Sequence, residues 1–202
     1  MPSAWSHVYE TEVVWTGNIG TGTGSYRSYS RTHEVTAAGL PPIQGSADRH
    51  FRGDADRWNP EQLLMAALSQ CHLLSYLAVC AMNGVVVTAY TDRASGTMEE
   101  TGGGSGRFTE ALLRPAVTVA APEMAEKARS LHEEAHRLCF IANSVNFPVR
   151  HEAVVTVSGA DAGPDTDTGT GPDTGPDTGT GTGTGTGPGT DAGTGRRTAP
   201  EA

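Results

Sequence analysis

Apolar and polar positions alternate over residues 8–17, Val-Tyr-Glu-Thr-Glu-Val-Val-Trp-Thr-Gly, as a β-strand requires. Residues 17–24 are rich in Gly and Thr and read as a turn or mobile loop. A second strand is predicted over residues 26–36, broken by Leu40-Pro41-Pro42. Residues 43–58 are irregular and charged. The pattern then changes at Asn59-Pro60-Glu61. Asn59 can cap a helix, and Pro60 suits the first helical position. This helix should run to about Asn83-Gly84, where Gly allows a left-handed stop. Its apolar residues surround most of its circumference, so it is a buried central element or part of an oligomer interface. Residues 85–90 form a strand. Gly102-Gly103-Gly104 makes a turn into a strand pair around residues 108–119. Pro122 opens a second helix with an apolar stripe of Met124, Ala128, Leu131, Ala135 and Leu138. That helix ends at Cys139, and a last strand covers about residues 149–157. The class is α+β.

The pattern stops at residue 157. From Ser158 onward there is no Leu, Ile, Phe, Tyr, Trp or Met. Such a segment cannot bury enough apolar surface to offset the entropy of ordering it, and disorder is expected over residues 158–202. The folded domain is residues 1–157. The chain carries −9, of which the tail's seven acids and two bases supply −5. The remaining −4, with no basic stripe, argues against nucleic acid or an anionic membrane as partner. No apolar run reaches membrane-spanning length, and residues 1–7 show neither the basic nor the apolar region of a secretory signal. The expected location is the cytoplasm. There, three cysteines read as catalytic, redox-active or buried thiols.

Cys71 lies mid-helix, where a thiol is commonly a small core hydrophobe. Cys80 cannot be its partner. Nine helical residues put it half a turn out of phase and roughly 13 Å away, whereas a disulfide needs Cα atoms within about 7 Å. Cys80 is therefore expected to be a packed core thiol. Cys139 approaches Cys71 only if the second helix packs on the first. A buried thiol stays protonated unless a cation or helix terminus stabilises the thiolate. Arg52 and Arg57 precede the helix. Glu61 is too far along it to touch Cys71, although it could orient an arginine that folds over the thiol. His72 points about 100° away from Cys71 and is a poor direct base for it. His132 and His136 have metal-ligand spacing within His-Glu-Glu-Ala-His. The preferred reading of that run is a solvated helix face, with no metal.

Asn59-Pro60-Glu61-Gln62-Leu63 followed by Cys71, with a late Cys139, resembles the OsmC/Ohr family of osmotically induced and organic hydroperoxide resistance proteins. Trp15-Thr16-Gly17, Phe51-Arg52-Gly53 and the order of elements agree over roughly residues 8–157. The run after Cys139, Phe-Ile-Ala-Asn-Ser-Val, and His72 after Cys71 depart from the commoner family pattern. The resemblance implies antiparallel sheets with two long central helices, an intertwined homodimer, and active sites at the subunit interface. It implies reduction of hydroperoxides, most often organic ones, without a cofactor. Cys71 would be the peroxidatic cysteine and Cys139 the resolving one, and a dithiol of lipoyl type would be the reductant. Glu61 would hold an arginine over the thiolate. Arg52 is the first candidate for that arginine, and Arg31, or its neighbour Arg27, the second. A non-catalytic redox or ligand-binding protein on the same scaffold is the alternative, and a metal protein using His132 and His136 ranks below it.

Composition alone makes the tail dispensable. Truncation after Val157 is expected to leave melting temperature and turnover unchanged, and a large drop in either would refute this.

Overall fold

Asn59 starts the longest element through two reciprocal hydrogen bonds. Its Oδ1 accepts from the Gln62 backbone N–H at 2.7 Å, and its own N–H donates to Gln62 Oε1 at 3.3 Å. This capping box satisfies two groups that a helix start otherwise leaves orphaned. Asn59 Nδ2 also donates to Asp48, whose other oxygen accepts from His50 N. The cap is thereby tied to a short 3-10 turn at Arg49–Phe51. Helix α1 then runs Pro60–Met82. Gly84 at φ +71° ends it, and the Val85 N–H returns to the Cys80 carbonyl at 2.9 Å.

The computed structural model describes residues 5–159; the expected disordered tail lies outside them from residue 160 onward. Strands β1 (Glu12–Trp15), β2 (His33–Thr36) and β3 (Ile43–Gly45) form an antiparallel sheet. The strands predicted over residues 8–17 and 26–36 are real but shorter, and β3 falls in the stretch read as irregular. The second is cut short because residues 26–30 curl around the Arg31 side chain. Its guanidinium donates to the carbonyls of Tyr29 and Tyr26 and lies over both rings.

After α1 come β4 (Val87–Asp92), β5 (Ser95–Thr101), β6 (Ser105–Leu113) and β7 (Pro115–Val119). Helix α2 (Ala125–Leu138), β8 (Val149–His151) and β9 (Val154–Val157) complete the domain. Two further sheets have the orders β4-β7-β9 and β5-β6-β8. The β4–β5, β6–β7 and β8–β9 segments are each one path with a bend. Asp92 holds the corner by accepting from the Arg114 backbone N–H and from Ser69 Oγ of α1, both at 2.6 Å. The polar, exposed β5 escaped the sequence pattern, whereas the turn at residues 102–104 is as expected. The strand predicted over residues 149–157 splits at Glu152-Ala153. Its halves join β6 and β7 in parallel, because α2 carries the chain back across the sheet.

The main core lies between α1, α2 and β4-β7-β9, and contains Tyr76, Val79, Cys80, Val117, Leu131 and Val155. A second cluster around Leu68, Ala111 and Leu113 fills the space under β5-β6-β8. Cys80 is thus the packed core thiol expected. Only one face of α1 is covered, and Leu74, Leu77 and Met82 remain exposed. By length and composition α1 is apolar enough to cross a membrane. This corrects the reading that no segment reaches that length: Ser69, Gln70, His72 and Ser75 break the apolar run without making the helix polar. Its covered face nevertheless belongs to the protein core.

Asn59→Ala removes the side-chain half of the capping box and the link to Asp48. We expect a loss of about 1 kcal/mol, read as a lower urea midpoint with an unchanged slope.

Candidate functional site

Helix α1 presents Cys71 half-buried, and α2 delivers Cys139 as its C-terminal cap, 1% exposed. The Cys71 thiol is close enough to act on that of Cys139, and both are free. Burial, and then the neighbouring Cys71, raise the Cys139 pKa to about 11, so it stays a protonated thiol. The Cys139 sulfur in turn accepts from the Ala142 backbone N–H at 3.4 Å. Cys71 opens onto a cavity of about 740 Å³, walled by Leu74, Met82, Leu138, Phe140 and Ile141, with Tyr9 at one side. The wall is almost wholly apolar. Leu138, expected in the buried stripe of α2, lines this cavity, and His132 takes its place in the core. Burial raises the pKa of Cys80 as well, and its side-chain partner is Tyr76, not Cys71.

Glu61 and Arg31 meet elsewhere. Both line a second cavity of about 450 Å³ together with Trp15, Tyr29 and Phe51, and neither lines the cysteine cavity. One Glu61 carboxylate oxygen is buried there without a hydrogen-bond partner. The Arg31 guanidinium is held by the Tyr26 and Tyr29 carbonyls instead. Arg52 sits in a left-handed conformation at the end of the 3-10 turn, exposed, and lines neither cavity. Arg27 is exposed as well. Gly53 beside Arg52 is required by space: a Cβ there would collide with the Ala47 backbone. Ten helical residues, roughly 15 Å, separate Glu61 from Cys71. Within one chain the thiol pair and the carboxylate–arginine pair are therefore separate.

The histidines differ most from expectation. His132 is not on a solvated face. It is 1% exposed, and its Nδ1 lies 3.1 Å from Nε2 of His72, which is fully buried. The His132 ring stacks on Tyr76 at 3.9 Å. Glu133 and Arg137 do face solvent, while Glu134 is partly covered. His151 on β8 packs against His72, His132 and His136, and its Nε2 faces Glu133 at 3.5 Å. Among the described residues no group of three or more His, Cys, Asp or Glu side chains is arranged to hold a metal ion. Sequence reasoning overlooked His151 and this cluster, since its four members come from three elements that meet only in the fold.

The sequence profile of the family described as OsmC-like protein matches residues 53–153. An OsmC-like protein of unknown function from Vibrio cholerae is 30% identical and superposes with a TM-score of 0.67, over 74% of this chain and 100% of that one. The chain belongs to the OsmC family. Two further solved structures share the OsmC fold at lower identity. An organic hydroperoxide resistance protein from Elizabethkingia anophelis is 19% identical, with a TM-score of 0.54 over 76% of this chain and 99% of that one. One from Legionella pneumophila, also described as a predicted redox protein, is 18% identical, with a TM-score of 0.52 over 75% and 100%. No curated protein sequence matches significantly.

The histidine pair gives the OsmC domain a specific pH response. Burial, then the neighbouring His151 and His136, lower the His72 pKa to about 4, against a smaller opposing effect of Asp92. Burial, then His72 and His151, lower that of His132 to about 3. Both folded values lie below the unfolded value of about 6.5, so the unfolded chain takes up protons first as pH falls. Stability is full above about pH 6.5 and declines toward pH 4, each ring contributing a slope of up to about 1.4 kcal/mol per pH unit. Urea melts between pH 7.5 and 4.5 should show this decline, and a His72→Gln/His132→Gln double variant should flatten it. An equal slope in both proteins would overturn the assignment.

Proposed function

We propose that this protein reduces hydroperoxides, most readily organic ones, with Cys71 as the peroxidatic and Cys139 as the resolving cysteine. The observation that carries this reading is the proximity of the two thiols beside an apolar cavity onto which Cys71, the more open of the pair, faces. In the first step the Cys71 thiolate attacks one peroxide oxygen. The O–O bond breaks, the alkoxide leaves with its electron pair and takes a proton to become an alcohol, and Cys71 becomes a sulfenic acid. The Cys139 sulfur then attacks the Cys71 sulfur. The S–S bond forms, and the departing hydroxide leaves as water with the Cys139 proton. A dithiol reductant, of lipoyl type in this reading, gives two electrons and two protons, restores both thiols and departs as its own disulfide. The setting is the reducing cytoplasm.

The unequal environments of the two thiols support their unequal roles. Cys139, buried and protonated, is shielded from peroxide and needs to react only once Cys71 has been oxidised. The carboxylate–arginine pair completes the site from a second copy of the chain. The exposed apolar face of α1 supports a homodimer, because an isolated domain leaves Leu74, Leu77 and Met82 in water. Glu61 recruits Arg31, which shares its cavity, in preference to Arg52, which does not. Releasing Arg31 from the Tyr26 and Tyr29 carbonyls lets it answer the unpaired Glu61 oxygen and approach a thiolate.

Cys71→Ser should abolish the fast reaction with cumene hydroperoxide. Cys139→Ser should react once and stall as a sulfenic acid, and Cys80→Ser should retain turnover. Mass spectrometry of the oxidised protein should find a Cys71–Cys139 linkage, and sedimentation should find a dimer at micromolar concentration. Full turnover in Cys71→Ser, or a disulfide to Cys80, sinks the mechanism; a stable folded monomer sinks the shared site.

A further inference from the structure

We infer that His72 and His132 are positioning residues for disulfide closure: a neutral imidazole pair that locks α2 onto α1 so that Cys139 faces Cys71. The inference rests on the two-cysteine reading above. His72 follows Cys71 directly, and His132 lies two turns before Cys139 on α2. Polar groups of the two helices face each other in order along the seam: Cys71 lies beside Cys139, His72 bonds His132, and the Tyr76 hydroxyl donates to the Ala128 carbonyl at 3.1 Å. The histidine contact is the side-chain hydrogen bond that joins the two helices beside the thiols, and both rings are buried.

The bond needs one ring to donate and the other to accept. Two neutral tautomer arrangements satisfy this, one in each direction. Either leaves the outer nitrogens, His72 Nδ1 and His132 Nε2, buried without partners. These lost hydrogen bonds are a cost that a leucine or valine pair would avoid. An apolar pair would also be free to slide, whereas an N–H···N bond fixes one register. Register matters because Cys139 is the C-terminal cap of α2: the turn that follows fixes its sulfur and carbonyl through the Ala142 and Asn143 N–H groups, and where that unit stands relative to Cys71 follows from how α2 is seated on α1. The Tyr76 ring stacked on His132 restricts the bond to one plane.

The test separates the two chemical steps. His132→Ala, His132→Gln and His72→Gln are compared with the unaltered full chain. The rate of sulfenic acid formation at Cys71 with cumene hydroperoxide is followed by a trapping reagent. The rate of Cys71–Cys139 closure is followed by quenched mass spectrometry. In His132→Ala, sulfenic acid formation should stay within about twofold while closure slows at least tenfold. Glutamine, which both donates and accepts, should recover part of that loss. A peroxide-independent arm equilibrates each protein with reduced and oxidised glutathione. The effective concentration of the two thiols should fall at least tenfold in His132→Ala. Unchanged closure in a folded variant, or an equal fall in both steps, overturns the inference. A merely structural pair would lower the melting temperature without moving closure relative to oxidation. Should His132→Ala not fold, the two single glutamine variants decide: closure slowed relative to oxidation in both supports the lock, and closure as fast as in the unaltered chain in both refutes it. An inactive unaltered protein whose thiols still equilibrate with glutathione would fail the peroxidase reading alone and leave the positioning result standing.

Discussion

The packing of α2 across α1 is the contact on which this domain depends. It buries Tyr76, Val79 and Cys80 against Ala128, Leu131 and Ala135, and it closes the main core against the β4-β7-β9 sheet. It also brings together residues 68 positions apart in sequence, Cys71 and Cys139, which no local interaction could do. The small residues on α2 matter here. Ala128 and Ala135 have no measurable exposure, and they let the helices approach closely enough for side chains as short as cysteine to touch. Fold and site are therefore products of the same interface. A substitution that loosens the helix pair weakens both.

Much of this was legible in the chain because the signals were local. Asn59-Pro60 fixed the start of α1 to the residue, and Gly84 its end, since caps act within a few positions. The half-turn phase of Cys80 relative to Cys71 placed it in the core by helix geometry alone. The Asn-Pro-Glu to Cys unit also sufficed to suggest the family. What escaped was non-local. Strand β5, Ser-Gly-Thr-Met-Glu-Glu-Thr, is held by pairing with β6 and has no apolar alternation to reveal it. His132 looked like a solvated residue beside Glu133 and Glu134. Only the approach of His72, sixty residues away, takes it out of water. The position of Arg31 was hidden for a different reason: the turn at residues 26–31 is built around its own side chain, where alternation suggested a strand.

The two cavities divide the chemistry between the ends of α1. At one end lies a carboxylate oxygen without a partner, with an arginine in the same cavity but bound to backbone carbonyls. At the other lies a thiol pair facing an apolar wall, with no cation lining its cavity. Each half lacks what the other holds. An unpaired buried carboxylate is costly, and a thiol without a cation is a poor nucleophile. In the proposed dimer, pairing two copies of the chain through the exposed face of α1 would remove both deficits together and cover Leu74 and Met82 as well. Incomplete electrostatics and uncovered apolar surface thus have a common remedy.

Proximity then carries what acidity cannot. Burial holds the Cys139 pKa well above its ordinary range, so at pH 7 it is almost entirely the protonated thiol. A free thiol so rarely ionised would attack a sulfenic acid slowly. Fixing it against Cys71 offsets that handicap, because a well-oriented intramolecular partner reaches effective concentrations far above any free thiol. The same burial that raises the pKa shields Cys139 from solvent, so in the proposed cycle the thiol that waits would also be the one that cannot react early. The requirement this places on the fold is positional and strict. Apart from the Ala142 N–H on its sulfur, what Cys139 gains from its surroundings is its place, and that place is set by how α2 is held on α1.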